Sequence, residues 1–380
     1  MGEIKLNTIE EAVDSIRKGE IIIVVDDEDR ENEGDFICAA ELVTPEIINF
    51  MAKEGRGLIC TPITEDRCRE LDLELMVGKN TATHETPFTV SVDLIGHGCT
   101  TGISASDRSK TIRALVDPNT NPAELGRPGH IFPLKAKKGG VLRRTGHTEA
   151  AIDFARLAGL KPAGVLVEIM NEDGTMARLP DLRKVANKFD LKLVTIKDLI
   201  EYRLNHESLI KEEIDLPFPS VYGDFELHAF KDANTDNIHL AFCKGEWDKD
   251  EPVLVRVHTS NLLDDLLGFK PNKRGGILHK GLGQIEKEGK GLLLYMNNSS
   301  DKYEGLLDKL TLLKENSDIS QSNAQLKAKM DDKDYGLGAQ ILRKLGVSKM
   351  KLISNSPQNR VGLIGYGLEI VEIIPFIKER

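Results

Sequence analysis

The chain has 380 residues, 40% hydrophobic and 29% charged, with five cysteines and a formal net charge of −10. This length allows two domains with separate cores, and the acidic balance argues against a nucleic-acid partner, which would need a basic face. No apolar run approaches the roughly 20 residues of a membrane span, and the first residues predict a capped amphipathic helix and not a signal peptide. The cysteines form no C-x-x-C pair. We therefore expect a cytoplasmic protein without disulfides or membrane contacts.

Helical and strand patterns alternate over the first 200 residues, which predicts an α/β domain. Asn7 or Thr8 can cap the first helix, and Thr44 can cap the second with Pro45 at its first position. Ser106 can cap a helix that runs to Leu115. Further helices are predicted at 147–158, 179–191 and 196–204, and strands at 21–27, 88–94 and 164–170.

The second half has its own pattern of strands and helices. It follows a charged stretch at 205–222 that contains Pro-Phe-Pro near its end. We predict an exposed connector there, with one domain at 1–205 and another at 214–380. Strands are predicted at 251–259 and 291–296, and a helix around 338–346. The polar stretch 314–334 is interpreted as a long loop or a poorly packed helix.

The acidic turn, residues 26–35, holds seven carboxylates directly after the first predicted strand. Solvated acidic loops are common on composition alone. Strand ends, however, are where open α/β sheets place ligand sites. Arg30 beside Glu31 also offers a clamp for phosphate or carboxylate next to a ligand for a hard metal ion.

A second candidate region lies between His130 and Thr148, where a Gly-Gly turn separates two histidines. Arg144 and His147 lead into a predicted helix whose first N–H groups and positive dipole end favour an anion. Any single segment of this kind more often forms a capped helix with surface arginines. Glu168, in a β-branched run, is expected to be buried and therefore paired or catalytic.

Seven ordered stretches in residues 1–205 resemble 3,4-dihydroxy-2-butanone 4-phosphate synthase. They lie at 24–41, 56–60, 88–93, 100–112, 127–134, 140–159 and 162–178. The resemblance implies an α/β sandwich, a homodimer with active sites at or near the interface, and a lyase reaction of riboflavin biosynthesis. That reaction converts ribulose 5-phosphate to 3,4-dihydroxy-2-butanone 4-phosphate and formate.

The resemblance also implies roles for particular residues. Glu31 and His147 match the magnesium ligands, and the histidine would let manganese substitute. His130 and Glu168 match the two residues essential for catalysis. The substrate contacts correspond to Arg30, Glu31, Asp35, Arg144, Thr145, Gly146, His147 and Thr148. Glu33, Cys60 and Asp93 are expected to line the pocket.

From about Ile214 the chain resembles GTP cyclohydrolase II, through stretches at 255–258, 288–295, 332–347 and 352–372. Active members bind catalytic zinc through three cysteines, and an ungapped comparison places Asn261, Asn272 and Arg274 at those positions. Ser260 replaces the glutamate of the same pattern. Residues 298–302 replace the family's Gln-Glu-Gly-Arg-Gly segment, and Lys333 replaces its catalytic arginine. Amides and a guanidinium cannot stand in for thiolates, so we predict a preserved α/β fold that holds no zinc and does not hydrolyse GTP.

Two alternatives remain for the second half. One is a bifunctional enzyme that also hydrolyses GTP, with an unrecognised zinc set such as Cys243, His258 and His279. The other is a regulatory module that senses a nucleotide without turning it over. Both enzyme activities release formate, so the other product has to be identified to separate them.

Overall fold

The computed structural model describes residues 6–28, 30–78, 80–81, 86–235, 237–261, 265–266, 276–297, 335–355 and 363–376. The chain divides into two compact units, residues 1–206 and 207–380. Within the described ranges, no helix combines the length and hydrophobicity needed to span a bilayer.

The first unit is built on a mixed seven-stranded sheet. Its strands are β1 (Ile22–Val25), β2 (Gly34–Ala39), β3 (Cys60–Thr64), β4 (Val92–Leu94), β5 (Leu125–Ala136), β6 (Gly164–Glu168) and β7 (Lys192–Thr195). The order across the sheet is β4-β5-β3-β6-β2-β1-β7. All four residues of β1 are buried, as expected for a strand covered on both faces.

Helices cover both faces of this sheet. They are α1 (Ile9–Arg17), α2 (Pro45–Phe50), α3 (Glu65–Glu70), α4 (Ala105–Val116), α5 (His147–Leu157), α6 (Leu179–Phe189) and α7 (Ile196–His206). Helices α1, α5 and α7 contact one another, while α2 and α4 pack together in the hydrophobic cluster that also contains α6 side chains. The predicted α/β sandwich is confirmed.

The caps show how far local sequence fixes these helices. Thr8 caps α1 by accepting a hydrogen bond from Glu11, and Thr44 caps α2 with Pro45 in its first turn, both as predicted. The cap of α4 is Ser104 and not Ser106, because Ser104 is extended and accepts from the backbone N–H of Asp107.

The strand predicted at 88–94 is shorter than expected, since only Val92–Leu94 forms β4. Phe88 bridges to Leu134, whereas Thr89 bridges to Leu75. Successive residues therefore pair with different segments, and no continuous ladder extends through this stretch.

The second unit contains another mixed seven-stranded sheet. Its elements are β8 (Ile210–Ser220), β9 (Gly223–Asp232), β10 (Ile238–Lys244), β11 (Pro252–Thr259), α8 (Ile277–Glu288), β12 (Gly291–Met296), α9 (Tyr335–Lys344), β13 (Lys349–Ile353) and β14 (Glu369–Ile374). The order is β14-β13-β11-β12-β10-β9-β8. Helix α8 packs on β9, β11 and β12, and α9 contacts β8 and β12.

The segment predicted as a connector, 205–222, instead contains β8, which pairs with β9 along its length. Pro217 and Pro219 are compatible with this strand because β8 lies at the edge of the sheet, where a missing N–H breaks no ladder bond. The polar stretch 314–334 lies outside the described residues.

Candidate functional site

Asp26, the first residue after β1, organises the acidic turn. One of its oxygens accepts from the backbone N–H of Glu33 at 2.8 Å, and the other accepts from that of Glu31 at 3.1 Å. The second oxygen also lies 2.8 Å from Nη1 of Arg30. Sequence reasoning did not single out Asp26, although its place at the end of a buried strand was a usable signal.

Arg30 and Glu31 are held in a defined geometry by this turn. The Arg30 side chain is 8% exposed and its Nη1 lies 2.8 Å from an oxygen of Glu31. Arg178 donates to the backbone carbonyls of Glu31 and Asn32 from a distant part of the chain. The turn is therefore a fixed structure, and its carboxylates are partly balanced by two guanidinium groups.

His147 begins α5 and is buried beside the end of β1. Its Nε2 lies 3.1 Å from the carbonyl oxygen of Val24, so Nε2 carries the proton and Nδ1 presents a lone pair. Burial lowers the pKa of His147, which favours the neutral imidazole. A neutral imidazole oriented through its second nitrogen is the form that binds metal ions.

Asp26, Glu31 and His147 bring one ligand atom each to within 4.8 Å of one another. Of the residues that the structure describes, only these form a cluster of this kind. Two carboxylates and one imidazole fit a hard divalent cation that keeps water or substrate oxygens in its remaining positions. The predicted ligands Glu31 and His147 thus fit a magnesium ion, with Asp26 added to the set.

Asp35 and Glu168 are direct neighbours on β2 and β6. Asp35 is buried, and burial raises its pKa well above the usual value, with the nearby carboxylate of Glu168 adding to the rise. Glu168 is only partly buried, contrary to expectation, because it is the last residue of β6. One of its oxygens accepts from the N–H of Leu58 at 2.9 Å.

His130 lies apart from these groups within one chain. Its Nδ1 is 2.6 Å from an oxygen of Asp93, and its backbone N–H donates to the other oxygen at 2.9 Å. Cys60 pairs with Leu166 on one side and with Phe132 on the other, which places β5 three strands from β2. At the usual strand spacing, the backbones of His130 and Asp35 are roughly 14 Å apart across the sheet.

The end of the second candidate region is anchored by a buried carboxylate. Arg144 Nη1 lies 2.7 Å from Oε2 of Glu149, a fully buried residue of α5. Gly146 precedes α5, and a Cβ there would lie 2.4 Å from Arg144 Nη1. Thr148 is buried and Thr145 is half-buried. The predicted anion-binding residues therefore lie together at the N-terminal end of α5.

The expected pocket-lining residues differ in their surroundings. Burial raises the pKa of Glu33, and Glu31 contributes to the rise. Burial also raises the pKa of Cys60 well above the thiol's usual value, with Glu168 contributing, so this thiol stays protonated. Cys60 can therefore shape the pocket but is unsuited to act as a nucleophile.

In the second unit, Asn261 is the one described residue of the three that replace the expected zinc cysteines. Its N–H donates to Asp265, whose other oxygen lies 2.8 Å from Nε2 of His258. Asn272, Arg274, residues 298–302 and Lys333 lie outside the described residues.

The alternative zinc set of Cys243, His258 and His279 is not assembled. His279 is on α8 and stacks on the ring of Tyr222 at 4.7 Å. Cys243 pairs with Leu292 of β12, whereas His258 of β11 pairs with Tyr295, three residues further along that strand. Burial also raises the pKa of Cys243 to about 12, which disfavours the thiolate that zinc requires.

Comparison with known protein families gives two matches in chain order. Residues 10–202 match the family model of 3,4-dihydroxy-2-butanone 4-phosphate synthase. Residues 211–375 match the family model of GTP cyclohydrolase II.

Similar proteins extend over nearly the whole chain. A riboflavin biosynthesis protein RibBA of Cytophaga hutchinsonii is 65% identical over 378 residues, which cover 99% of this chain and 93% of the relative. A protein of the same name from Parabacteroides distasonis is 54% identical over the same shares of both chains.

Two solved structures are also similar. RibBX of A. baumannii, described as a two-domain 3,4-dihydroxy-2-butanone 4-phosphate synthase, is 40% identical with a TM-score of 0.64 and covers 98% of this chain and 100% of its own. A 3,4-dihydroxy-2-butanone 4-phosphate synthase in complex with two magnesium ions is 40% identical with a TM-score of 0.51, covering 53% of this chain and 98% of its own.

Proposed function

Because the chain belongs to the 3,4-dihydroxy-2-butanone 4-phosphate synthase family of riboflavin biosynthesis, we propose that its first unit converts ribulose 5-phosphate to L-3,4-dihydroxy-2-butanone 4-phosphate and formate. The observation that carries the proposal is the cluster of Asp26, Glu31 and His147 next to the carboxyl pair of Asp35 and Glu168. The reaction removes one carbon of a sugar phosphate, so it needs both a divalent cation and groups that move protons.

Glu31 and His147 would hold magnesium, as the related synthase that contains two magnesium ions supports. When bound, the cation polarises substrate oxygens as a Lewis acid. Asp26 contributes negative charge to the same cluster and keeps the turn folded. The imidazole ligand makes manganese an acceptable substitute.

Asp35 and Glu168 would exchange protons with the substrate. The raised pKa of Asp35 lets its carboxyl group hold a proton at a higher pH than an ordinary aspartate does. Glu168 is partly exposed and hydrogen-bonded to one backbone N–H, so its carboxylate is accessible to a ligand. Arg144 and the first turn of α5, with Thr148, would hold the phosphate.

The active protein is proposed to be a homodimer with active sites at the interface. His130 is on β5, three strands from Asp35 of β2, and a second copy could supply this side chain to the metal cluster. Exposed apolar side chains of the first unit offer surface for such an interface: Leu58, Leu75, Met76, Val77, Ile95 and Ile103. Light scattering should give the mass of two chains.

The test of the synthase activity is direct product identification. Purified protein is incubated with ribulose 5-phosphate with and without magnesium, and the products are identified by NMR. Butanone phosphate and formate in equal amounts, only with the cation, are expected. Intact protein that leaves ribulose 5-phosphate unchanged would show that the proposal is wrong.

The second unit is proposed to have lost GTP hydrolysis. Beyond residue 100 the sequence has a single cysteine, Cys243. Among the described residues, it forms no metal-ligand cluster with His258 and His279. The match to GTP cyclohydrolase II favours the bifunctional alternative. Elemental analysis and incubation with GTP separate the two, since one zinc per chain together with pyrophosphate release would establish the cyclohydrolase. Nucleotide binding without turnover would instead favour the regulatory module.

A further inference from the structure

A buried ion pair joins the last helix of the first unit to α5. Nη1 of Arg203 on α7 lies 2.8 Å from Oδ2 of Asp153, and each side chain is 3% exposed. The same nitrogen donates to the carbonyl oxygen of Gly139 at 2.7 Å. Asp153 also accepts from the backbone N–H of Val141 at 2.8 Å. One guanidinium and one carboxylate thus hold both sides of a single turn.

That turn can be made only with glycine at its centre. Gly139 and Gly140 have φ values of 106° and 63°, in the region that favours glycine. A Cβ on Gly140 would lie 2.2 Å from an oxygen of Asp153. The backbone therefore passes directly against the ion pair, and a shift of Asp153 must move the turn.

A second buried carboxylate of α5 holds the remainder of the loop. Glu149 accepts from the N–H of Lys137 at 3.1 Å and pairs with Arg144 at 2.7 Å. Glu149 and Asp153 are one helical turn apart, so both project from the same face of α5. The loop at 137–146 is consequently fixed at its start and end by Glu149 and in its middle by Asp153 with Arg203.

We infer that Arg203 is a positioning residue for the phosphate end of the substrate, an inference that rests on the proposed function. The loop that Arg203 holds ends in Arg144 and in the first N–H groups of α5, which receive no side-chain cap from Gly146. Without the guanidinium, the Gly139 carbonyl loses its donor and Asp153 loses its buried countercharge. The loop then relaxes and Arg144 moves relative to the metal cluster, although Arg203 itself touches no substrate.

The experiment uses the full chain and compares Arg203→Met with a matched control, Arg156→Met. Arg156 lies 3.8 Å from the other oxygen of Asp153 and its side chain is 43% exposed. For Arg203→Met we expect the KM for ribulose 5-phosphate and the inhibition constant of inorganic phosphate to rise roughly tenfold or more, with a smaller change in kcat. Arg156→Met should change both constants less than twofold. Folding is monitored by the thermal unfolding midpoint.

Two further measurements keep the inference testable. Arg203→Lys retains the charge, but its side chain is shorter and lacks the planar guanidinium, so it reaches the two acceptors less closely. Its KM should therefore lie between wild type and Arg203→Met, and this variant serves if Arg203→Met does not fold. Hydrogen exchange of residues 137–146 should be faster in both variants, and this readout does not depend on turnover. An inactive wild type would overturn the proposed function. The exchange result would still show whether Arg203 holds the loop at 137–146. Unchanged KM and exchange in a folded Arg203 variant, or an equal effect of Arg156→Met, would overturn the inference.

Discussion

The side chain of His147 is prepared for metal binding by what its other nitrogen contacts. Val24 is a residue of β1, and its carbonyl oxygen fixes the tautomer, while burial keeps the ring neutral. The same carbonyl end of β1 leads into Asp26 and the acidic turn. The end of β1, the acidic turn and the start of α5 therefore supply the cluster.

Replacing either predicted metal ligand should remove activity. For His147→Ala and Glu31→Gln we expect turnover to fall roughly a hundredfold or more. Replacing a residue that only hydrogen-bonds to a metal ligand already lowers metal affinity or activity about tenfold to a hundredfold. Rates are measured over a magnesium series, and manganese binding is followed by electron paramagnetic resonance. His97→Ala, which removes an exposed histidine paired with Glu124, is the control. Normal magnesium dependence in His147→Ala would contradict the assignment.

Asp153 should leave a measurable trace in the pH dependence of stability. Burial raises its pKa to about 6 from 3.8. The folded state then holds a proton that the unfolded chain has released, so this group lowers the unfolding free energy as pH rises from about 4 to about 6, with no further change above. The unfolding free energy of wild type minus that of Asp153→Asn should fall across this window in urea titrations. The same pH dependence of the unfolding free energy in both proteins would contradict this prediction.

At the scale of elements, α5 connects most parts of the site. Its first residue is His147, its buried Glu149 holds Arg144, and its buried Asp153 holds the Gly139–Gly140 turn with Arg203. Charged residues inside a helix face are costly unless each has a partner. Their positions along α5 therefore fix the loop at 137–146 relative to the metal cluster.

The segment before β3 should be sensitive to a single methyl group. A Cβ on Gly57 would lie 2.5 Å from Oε2 of Glu168 and 2.6 Å from its backbone oxygen. Gly57→Ala must therefore displace the carboxylate, and we expect kcat to fall roughly tenfold or more. Gly78→Ala is the matched control, because a Cβ there has no neighbour within 4 Å. Equal kcat values for the two variants, with both folded, would argue against a role of Glu168 in turnover.

At the scale of the whole molecule, the proposed chemistry lies entirely in the first unit. All proposed metal, substrate and proton-transfer residues fall between Asp26 and Glu168, and the positioning residue Arg203 is on α7. The sheet of the first unit is complete without strands from the second. The two parts of the chain are therefore expected to be separable.

Residues 1–205 should form an active synthase when expressed alone. Some 200 residues can bury a core sufficient for independent folding. We expect turnover of ribulose 5-phosphate within a few-fold of the full chain, because the active-site residues are all present. Activity is measured together with circular dichroism and light scattering. A folded, dimeric fragment without activity would show that the second unit contributes to the site.

Features encoded within a few residues could be predicted from the sequence. Thr8 and Thr44 cap their helices through contacts three residues away, and the family motifs indicated Glu31, His147 and the α/β sandwich. The same local patterns failed at 210–220, which became an edge strand because β9 pairs with it. The cap of α4 is a local contact, but the prediction placed it two residues too late, at Ser106 instead of Ser104.

Only the tertiary structure decided which distant groups meet. Asp35 and Glu168 are adjacent because the order of strands places β6 beside β2. Asp26 lies beside Glu31 and His147 because the turn folds around its carboxylate, which accepts from the backbone N–H groups of Glu31 and Glu33. Arg203 reaches Asp153 across 50 residues. Helix periodicity and capping act within one or two turns of chain, whereas such contacts depend on how separate segments pack. The sequence by itself therefore determined the family and the kinds of groups, and the packing decided their neighbours, their protonation and their separation from His130.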